Sequence, residues 1–280
     1  MERYAHFDYA KLTCEIKRLG KIYPNLEIGT IGKSEPGREI YYIKLGDGKR
    51  KVFYNGAHHG TEWITAAVLM KFIEEYMGAY YSDSLFYGSD IRKLFADVSI
   101  YIVPMVNPDG VDIALNRGIY WQSNANGVDL NHNYNALWQE GKSAEIENGV
   151  FGPGPTRYSG ECYESEAETR AIVKFTRDTG FDLAIALHSQ GEVIYWTFDN
   201  IMPPNHLEIA KKLEKASGYA LDETEGIASY SGFKDWFMKE FNRSGFTFEV
   251  GLGENPLPIS QLTEICSRTF PALLAAAESV

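Results

Sequence analysis

Cysteine is scarce: Cys14, Cys162 and Cys266 are the only three in 280 residues. They are widely spaced and odd in number, and they form no zinc or redox motif, so neither a disulfide framework nor a thiolate metal site organises the chain. Long apolar runs are missing as well; none approaches the roughly 20 residues that a membrane span needs. Positive charge is in deficit, with 27 Lys and Arg against 38 Asp and Glu, a formal charge of −11. That balance disfavours nucleic acid and anionic membrane surfaces as partners. No internal repeat, low-complexity tract or linker interrupts residues 1–280, so one domain is expected. The opening Met1-Glu2-Arg3-Tyr4 lacks the basic and apolar regions of a signal peptide. The expectation is a cytoplasmic protein, or a secreted one if a targeting segment has been removed.

What is present is a 44% hydrophobic, 14% aromatic chain that can build a sizeable core. Asp8 reads as the N-cap of a helix over 8–19, with Leu12, Ile16 and Leu19 on one face. Strands are expected over 26–31 and 40–45, then a Gly46-Asp47-Gly48 hairpin turn leading into a strand at 51–54. A helix over 61–76 carries Ile64, Val68, Phe72 and Ile73 at helical spacing. A short helix at 91–95 and a strand at 98–103 follow. Residues 104–160 are dense in Gly, Asn and Pro and read as a long irregular stretch, usually functional in a compact domain. Ser165 to Glu168 reads as a capping box opening a helix to about 178. Strands are then expected at 182–187, 193–198 and 246–250, and helices at 206–217, 233–241 and 267–278. Strands alternate with helices, which indicates an α/β fold.

The chemistry is concentrated in Tyr54-Asn55-Gly56-Ala57-His58-His59-Gly60-Thr61-Glu62-Trp63. This is a strand-to-helix turn, a usual place for sites in α/β proteins. His59 and Glu62 are three apart, which lets an imidazole and a carboxylate converge on one point, and nitrogen plus oxygen donors suit zinc. A polar turn with two ordinary histidines would read the same way. His188 ends an apolar strand and is placed to be a distant third ligand, although alone it is an ordinary turn histidine. Glu249 ends another strand, Phe246-Thr247-Phe248-Glu249; beside zinc it would be the general base, and otherwise it is structural. Asp129 offers a carboxylate to orient a ligand histidine.

Taken in order, His59-x-x-Glu62, Gly127-Val128-Asp129-Leu130-Asn131-x-Asn133, His188-Ser189 and Phe246-Thr247-Phe248-Glu249 resemble the zinc metallocarboxypeptidases of the carboxypeptidase A/B type. The resemblance spans roughly residues 38–251. It implies a three-layer α/β/α fold with a mixed, roughly eight-stranded sheet. It implies one zinc ion on His59, Glu62 and His188 with a fourth position for water, a peptide substrate, and Glu249 as base and then proton donor to the leaving amine. His58, His132 and His206 are expected not to ligate.

Three departures from the family pattern bear on the substrate. Where the family has Asn-Arg to bind the substrate's terminal carboxylate, this chain has Asn131-His132, so the bidentate arginine fork is missing. Where the family has an arginine after tryptophan to stabilise the oxyanion, this chain has Trp121-Gln122; Gln122 offers a neutral donor, and Arg117 is a possible replacement. The family's loop tyrosine is displaced: Ile227 falls near its position and Tyr230 is the nearest substitute. With residues 188–196 and Gly232-Phe233-Lys234-Asp235-Trp236-Phe237, the chain is similar to a bacterial branch that includes γ-D-glutamyl-L-diamino acid peptidases, which cut cell-wall stem peptides. Lys234 stands where the family places the base of the pocket for the residue after the cut bond, and a lysine there should select a side-chain carboxylate; the plain alternative is a solvated helix lysine. The expected substrate is thus a muropeptide cut between γ-D-glutamate and meso-diaminopimelate, with the C-terminal α-carboxylate dispensable. The competing expectations are an ordinary carboxypeptidase, with His132 contacting the carboxylate when protonated, a zinc amidohydrolase for small acyl amino acids, and a non-hydrolytic binding protein, which would have no use for Glu249.

Overall fold

The computed structural model describes residues 2–117 and 120–280. In chain order the main elements are α1 (Tyr9–Ile22), β1 (Glu27–Lys33), β2 (Glu39–Leu45), β3 (Arg50–Gly56), α2 (Ile64–Ser82), the two-residue strands β4 (Leu85–Phe86) and β5 (Ser89–Asp90), α3 (Ile91–Asp97), β6 (Val98–Val103) and α4 (Pro108–Arg117). Then come α5 (Trp138–Glu147), α6 (Ala167–Thr179), β7 (Leu183–His188), β8 (Val193–Tyr195), α7 (His206–Ser217), β9 (Ala220–Asp222), α8 (Phe233–Phe241), β10 (Ser244–Glu249) and α9 (Leu262–Glu278). Asp8 caps α1 as expected, accepting the Lys11 N–H at 2.8 Å.

Eight strands form one mixed sheet in the order β1-β2-β6-β3-β7-β10-β8-β9. The central four, β6, β3, β7 and β10, run parallel, and β2 and β8 join them antiparallel. Alternation along the strands divides the core between the two faces. Val52, Tyr54, Leu183, Ile185 and Leu187 pack with α2, α7 and α9. Phe53, Ala184 and Ala186 face the other way, against Ile172 of α6 and Phe233, Trp236 and Phe237 of α8. Helices cover both faces, as the expected three-layer α/β/α arrangement requires.

The register positions the site. Glu249 pairs with His188, and Gly56 with Leu187, so the carboxyl ends of β3, β7 and β10 lie side by side at one edge of the sheet. That edge is where open α/β sheets put their ligands.

Several expectations are corrected. Gly46-Asp47-Gly48 is not a hairpin turn, because β6 lies between β2 and β3. The two glycines instead let the chain cross the start of β6: a Cβ would stand 2.1 Å from the Val98 carbonyl oxygen at Gly46 and 2.0 Å from the Asp97 carbonyl carbon at Gly48. Among its described residues the stretch 104–160 contains two α-helices. Pro108 opens α4, and Asn107 Oδ1 accepts the Gly110 N–H at 2.8 Å, which is N-cap geometry. The helix α5 carries no apolar stripe; its buried Glu145 accepts the Ser159 N–H at 2.9 Å, a tertiary contact that periodicity does not register, and Lys142 Nζ of its own helix at 2.7 Å. Ser165 does not cap α6. The Ala167 N–H goes to Glu35 Oε1 at 2.7 Å, while Ser165 Oγ turns to Glu166. The strand expected at 193–198 stops at Tyr195.

Candidate active site

After β3 the chain turns through Ala57, whose φ of 51° is left-handed, and whose N–H is held by Thr65 Oγ1 at 2.8 Å. Gly60 then passes so close to α4 that a Cβ would meet the Gly110 oxygen at 2.2 Å. Only glycine fits this approach. The Gly60 and Thr61 N–H groups donate to the carbonyls of Gln122 and Trp121 at 3.0 and 3.1 Å. Asn107 Nδ2 ties the same turn together, donating to His58 O, Gln122 O and Ser123 O.

This scaffold brings three buried side chains to one point. His59 Nδ1 lies 2.8 Å from Glu62 Oε1, His188 Nδ1 lies 2.9 Å from Glu62 Oε2, and the two Nδ1 atoms are 3.3 Å apart. On its far side, His59 Nε2 donates to Asp129 Oδ1 at 3.0 Å, which leaves the Nδ1 lone pair facing inward. Burial works to lower His59, yet the carboxylates of Glu62 and Asp129 hold it well above the usual histidine range. Burial works to raise Glu62, yet His59 and His188 bring it down to about 2. Glu249 is raised well above its ordinary value by burial and by Glu62 nearby. A cation at the junction would satisfy both carboxylates, since buried charges are paired or coordinate metals.

The geometry suits zinc. A tetrahedral ion with bonds of about 2.05 Å sets its ligands about 3.3 Å apart, close to the separation of the two Nδ1 atoms, and two imidazoles plus a carboxylate leave one position open. Of the other histidines, His58 Nε2 bonds the Tyr134 hydroxyl at 2.9 Å, and His206 Nδ1 bonds Ser244 Oγ at 3.0 Å.

The sequence profile of the zinc carboxypeptidase family matches residues 13–272. The chain belongs to the zinc carboxypeptidase family. It is therefore a metallopeptidase, a hydrolase of peptides, and the family's metal is zinc. The chain is similar to γ-D-glutamyl-L-diamino acid endopeptidase 1 of Lysinibacillus sphaericus, at 33% identity over 96% of this chain and 72% of that protein. Its fold is shared with bovine thrombin-activatable fibrinolysis inhibitor (TM-score 0.83, 23% identity, 100% of this chain and 98% of that one). It is shared too with murein-tripeptide amidase from Escherichia coli O157 (TM-score 0.60, 20% identity, 89% and 91%).

In this peptidase a cleft of about 410 Å³, the size of a small-ligand site, opens over the junction and includes His59, His188 and Glu249 in its lining. Asn131, His132, Gln122 and Lys234 line it as well. Gln122 Oε1 accepts from Thr156 Oγ1, which leaves the Nε2 donors for the cleft. Burial lowers His132, with Asp129 opposing and His59 and Arg157 adding to the fall, so a charged His132 is disfavoured as a carboxylate ligand. Lys234 is buried, not a solvated helix lysine; its Nζ donates to Thr197 O and lies 2.5 Å from Asp235 Oδ1. Tyr230 is not among the described residues lining the cleft; Ala228 and Thr224 line it from that loop. Arg117 ends α4 and is not among the described residues lining the cleft.

Sequence reasoning missed Asn107, Tyr120, Thr156 and Arg157. The Asn107-Pro108-Asp109-Gly110 cluster could have flagged Asn107 as a cap. The other three stand in irregular chain without a periodic or motif signal, and only folding brings them to the cleft.

Proposed function

We propose that residues 1–280 act as one catalytic domain that hydrolyses the amide between γ-D-glutamate and meso-diaminopimelate in murein peptides. The carrying observation is the buried Lys234–Asp235 pair in the cleft. An apolar pocket floor would favour apolar side chains and a lone carboxylate would favour lysine or arginine. A paired lysine and aspartate match a group bearing both signs, and the far end of the diaminopimelate side chain carries an ammonium and a carboxylate on one carbon. The likeness to a γ-D-glutamyl-L-diamino acid endopeptidase supports the same reading.

The proposed roles follow from position. His59, Glu62 and His188 hold one zinc ion. Bound there, zinc supplies Lewis acidity that polarises the amide carbonyl and makes water easier to deprotonate. Glu249 takes the proton from the attacking water on its carboxylate and returns it to the leaving amine. Gln122 donates from Nε2 toward the carbonyl oxygen. Asp129 fixes the tautomer and orientation of His59.

Two results test these assignments. Lys234→Met should erase most of the preference for L-Ala-γ-D-Glu-meso-diaminopimelate over its lysine analogue while leaving zinc in place. A charge-assisted contact of about 1.5–3 kcal/mol sets that preference on the order of ten- to a hundred-fold. Product analysis by mass spectrometry on both peptides checks it, and equal cleavage of the two by wild type would refute the substrate. Asp129→Asn should weaken zinc affinity by roughly ten- to a hundred-fold, measured by competition with a chelator; unchanged affinity would remove Asp129 from the site.

A further inference from the structure

The cleft contains a cation that no motif announces. Arg157 stands on the loop after α5 and lines the cleft with Tyr120 and His132. Among the described residues its guanidinium has no ion pair and no hydrogen bond, whereas Lys234, the other basic side chain in the lining, is paired with Asp235. His132 is held toward neutrality. In a chain of net charge −11, an unpaired arginine facing a substrate cleft is an anion site waiting for its partner.

The loop is held in place by the same groups that hold the metal centre. The Arg157 N–H donates to Asp129 Oδ2 at 2.8 Å, and the Asp129 N–H donates to Tyr158 O at 2.7 Å. Pro155 O accepts the N–H groups of Gln122 and Ser123 at 2.8 and 3.1 Å. Arg157 has a left-handed φ of 66°, a conformation that costs a non-glycine residue free energy and persists only where the surroundings impose it.

A second donor points to which anion. Asn131 Oδ1 accepts the Phe233 N–H at 3.0 Å, so its Nδ2 is left for the cleft, where it donates to no described residue. Phe233 is the neighbour of Lys234. A carboxylate taken up between Asn131 and Arg157 therefore belongs to the substrate residue whose side chain reaches Lys234.

We infer that Arg157, with the Asn131 amide, binds the free main-chain carboxylate of the residue on the leaving side of the cut bond. This rests on the proposed role of Lys234 as the floor for that residue. It reverses the expectation that the C-terminal carboxylate is dispensable: the recognition given up at His132 is supplied from another part of the chain. The favoured substrate then ends at the diamino residue, and a hydrolysis that removes any residue beyond it must come first.

The test compares kcat/KM on L-Ala-γ-D-Glu-meso-diaminopimelate with kcat/KM on the same peptide carrying a carboxamide at the main-chain carboxyl of the diamino residue. Wild type should prefer the acid by about ten-fold, the low end for a charge-assisted contact because Arg157 is exposed. Arg157→Gln should lose that factor on the acid, keep the carboxamide rate and the zinc content, and bring the ratio near one. Arg157→Lys should restore part of it, as a point charge without the fork. A third peptide carries an amide on the glutamyl α-carboxyl. If the loss in Arg157→Gln tracks that group, the assignment is overturned; equal losses on acid and carboxamide, or none, overturn it too. The same acid-to-amide ratio is read on an α-linked N-acyl dipeptide. Cleavage of that pair alone would end the murein reading, while an acid preference there that depends on Arg157 would still support this one, and a preference indifferent to Arg157 would defeat it.

Discussion

Glu249→Gln should retain its zinc and lose turnover by about 10²–10⁴-fold, the range that positioned general acid–base groups contribute. The substitution is nearly isosteric. It keeps the contacts of the end of β10 and removes only the ability to accept and return a proton. Glu249 lies in register with His188 and lines the cleft, so it is beside the metal ligands without being one of the three converging donors. Burial and Glu62 raise its proton affinity, and a cation at the junction opposes that rise. Metal analysis and steady-state rates on one protein sample separate the two properties. Full activity in the variant would refute the proton-transfer role, and loss of zinc would make Glu249 a ligand.

His188→Ala should abolish stoichiometric zinc binding, and activity with it. Three protein ligands are the usual complement of a catalytic zinc site, and His188 is the one supplied from a strand 126 residues away from Glu62. Without it, the turn alone offers His59 and Glu62. Thermal unfolding gives a readout independent of activity. A ligand that binds only the folded state stabilises it by about 4 kcal/mol at a thousand-fold excess over its Kd, so wild-type Tm should rise with added zinc. His188→Ala should show no such rise and less than one tenth of the wild-type zinc content. Normal zinc content would sink the ligand assignment. His206→Ala is the control: His206 bonds Ser244 and Trp196, and its folded fraction should bind zinc as wild type does.

Much of the architecture was legible because local patterns carried it. The helices at His206–Ser217 and Phe233–Phe241 and the strand at Val98–Val103 have the bounds that periodicity and caps indicate. The elements that were misread are held by distant partners. The helix α5 depends on Glu145 meeting Ser159, and the start of α6 depends on Glu35. The turn at Gly46-Asp47-Gly48 has hairpin composition, but its glycines serve a crossing over β6 that no local window contains.

The sequence by itself determined the α/β class, the family and the residues that meet at the metal junction, because ordered short motifs at strand ends survive as strings of letters. Only the tertiary structure decided what surrounds them. It paired Lys234 with Asp235, disfavoured a charged His132 and brought Arg157 into the cleft. The physical reason is that charge, burial and side-chain direction are properties of three-dimensional neighbourhoods. A loop pinned to Asp129 by one hydrogen bond to its carboxylate and one from its backbone N–H aligns residues that lie 28 positions apart, and spacing along the chain holds no record of that contact.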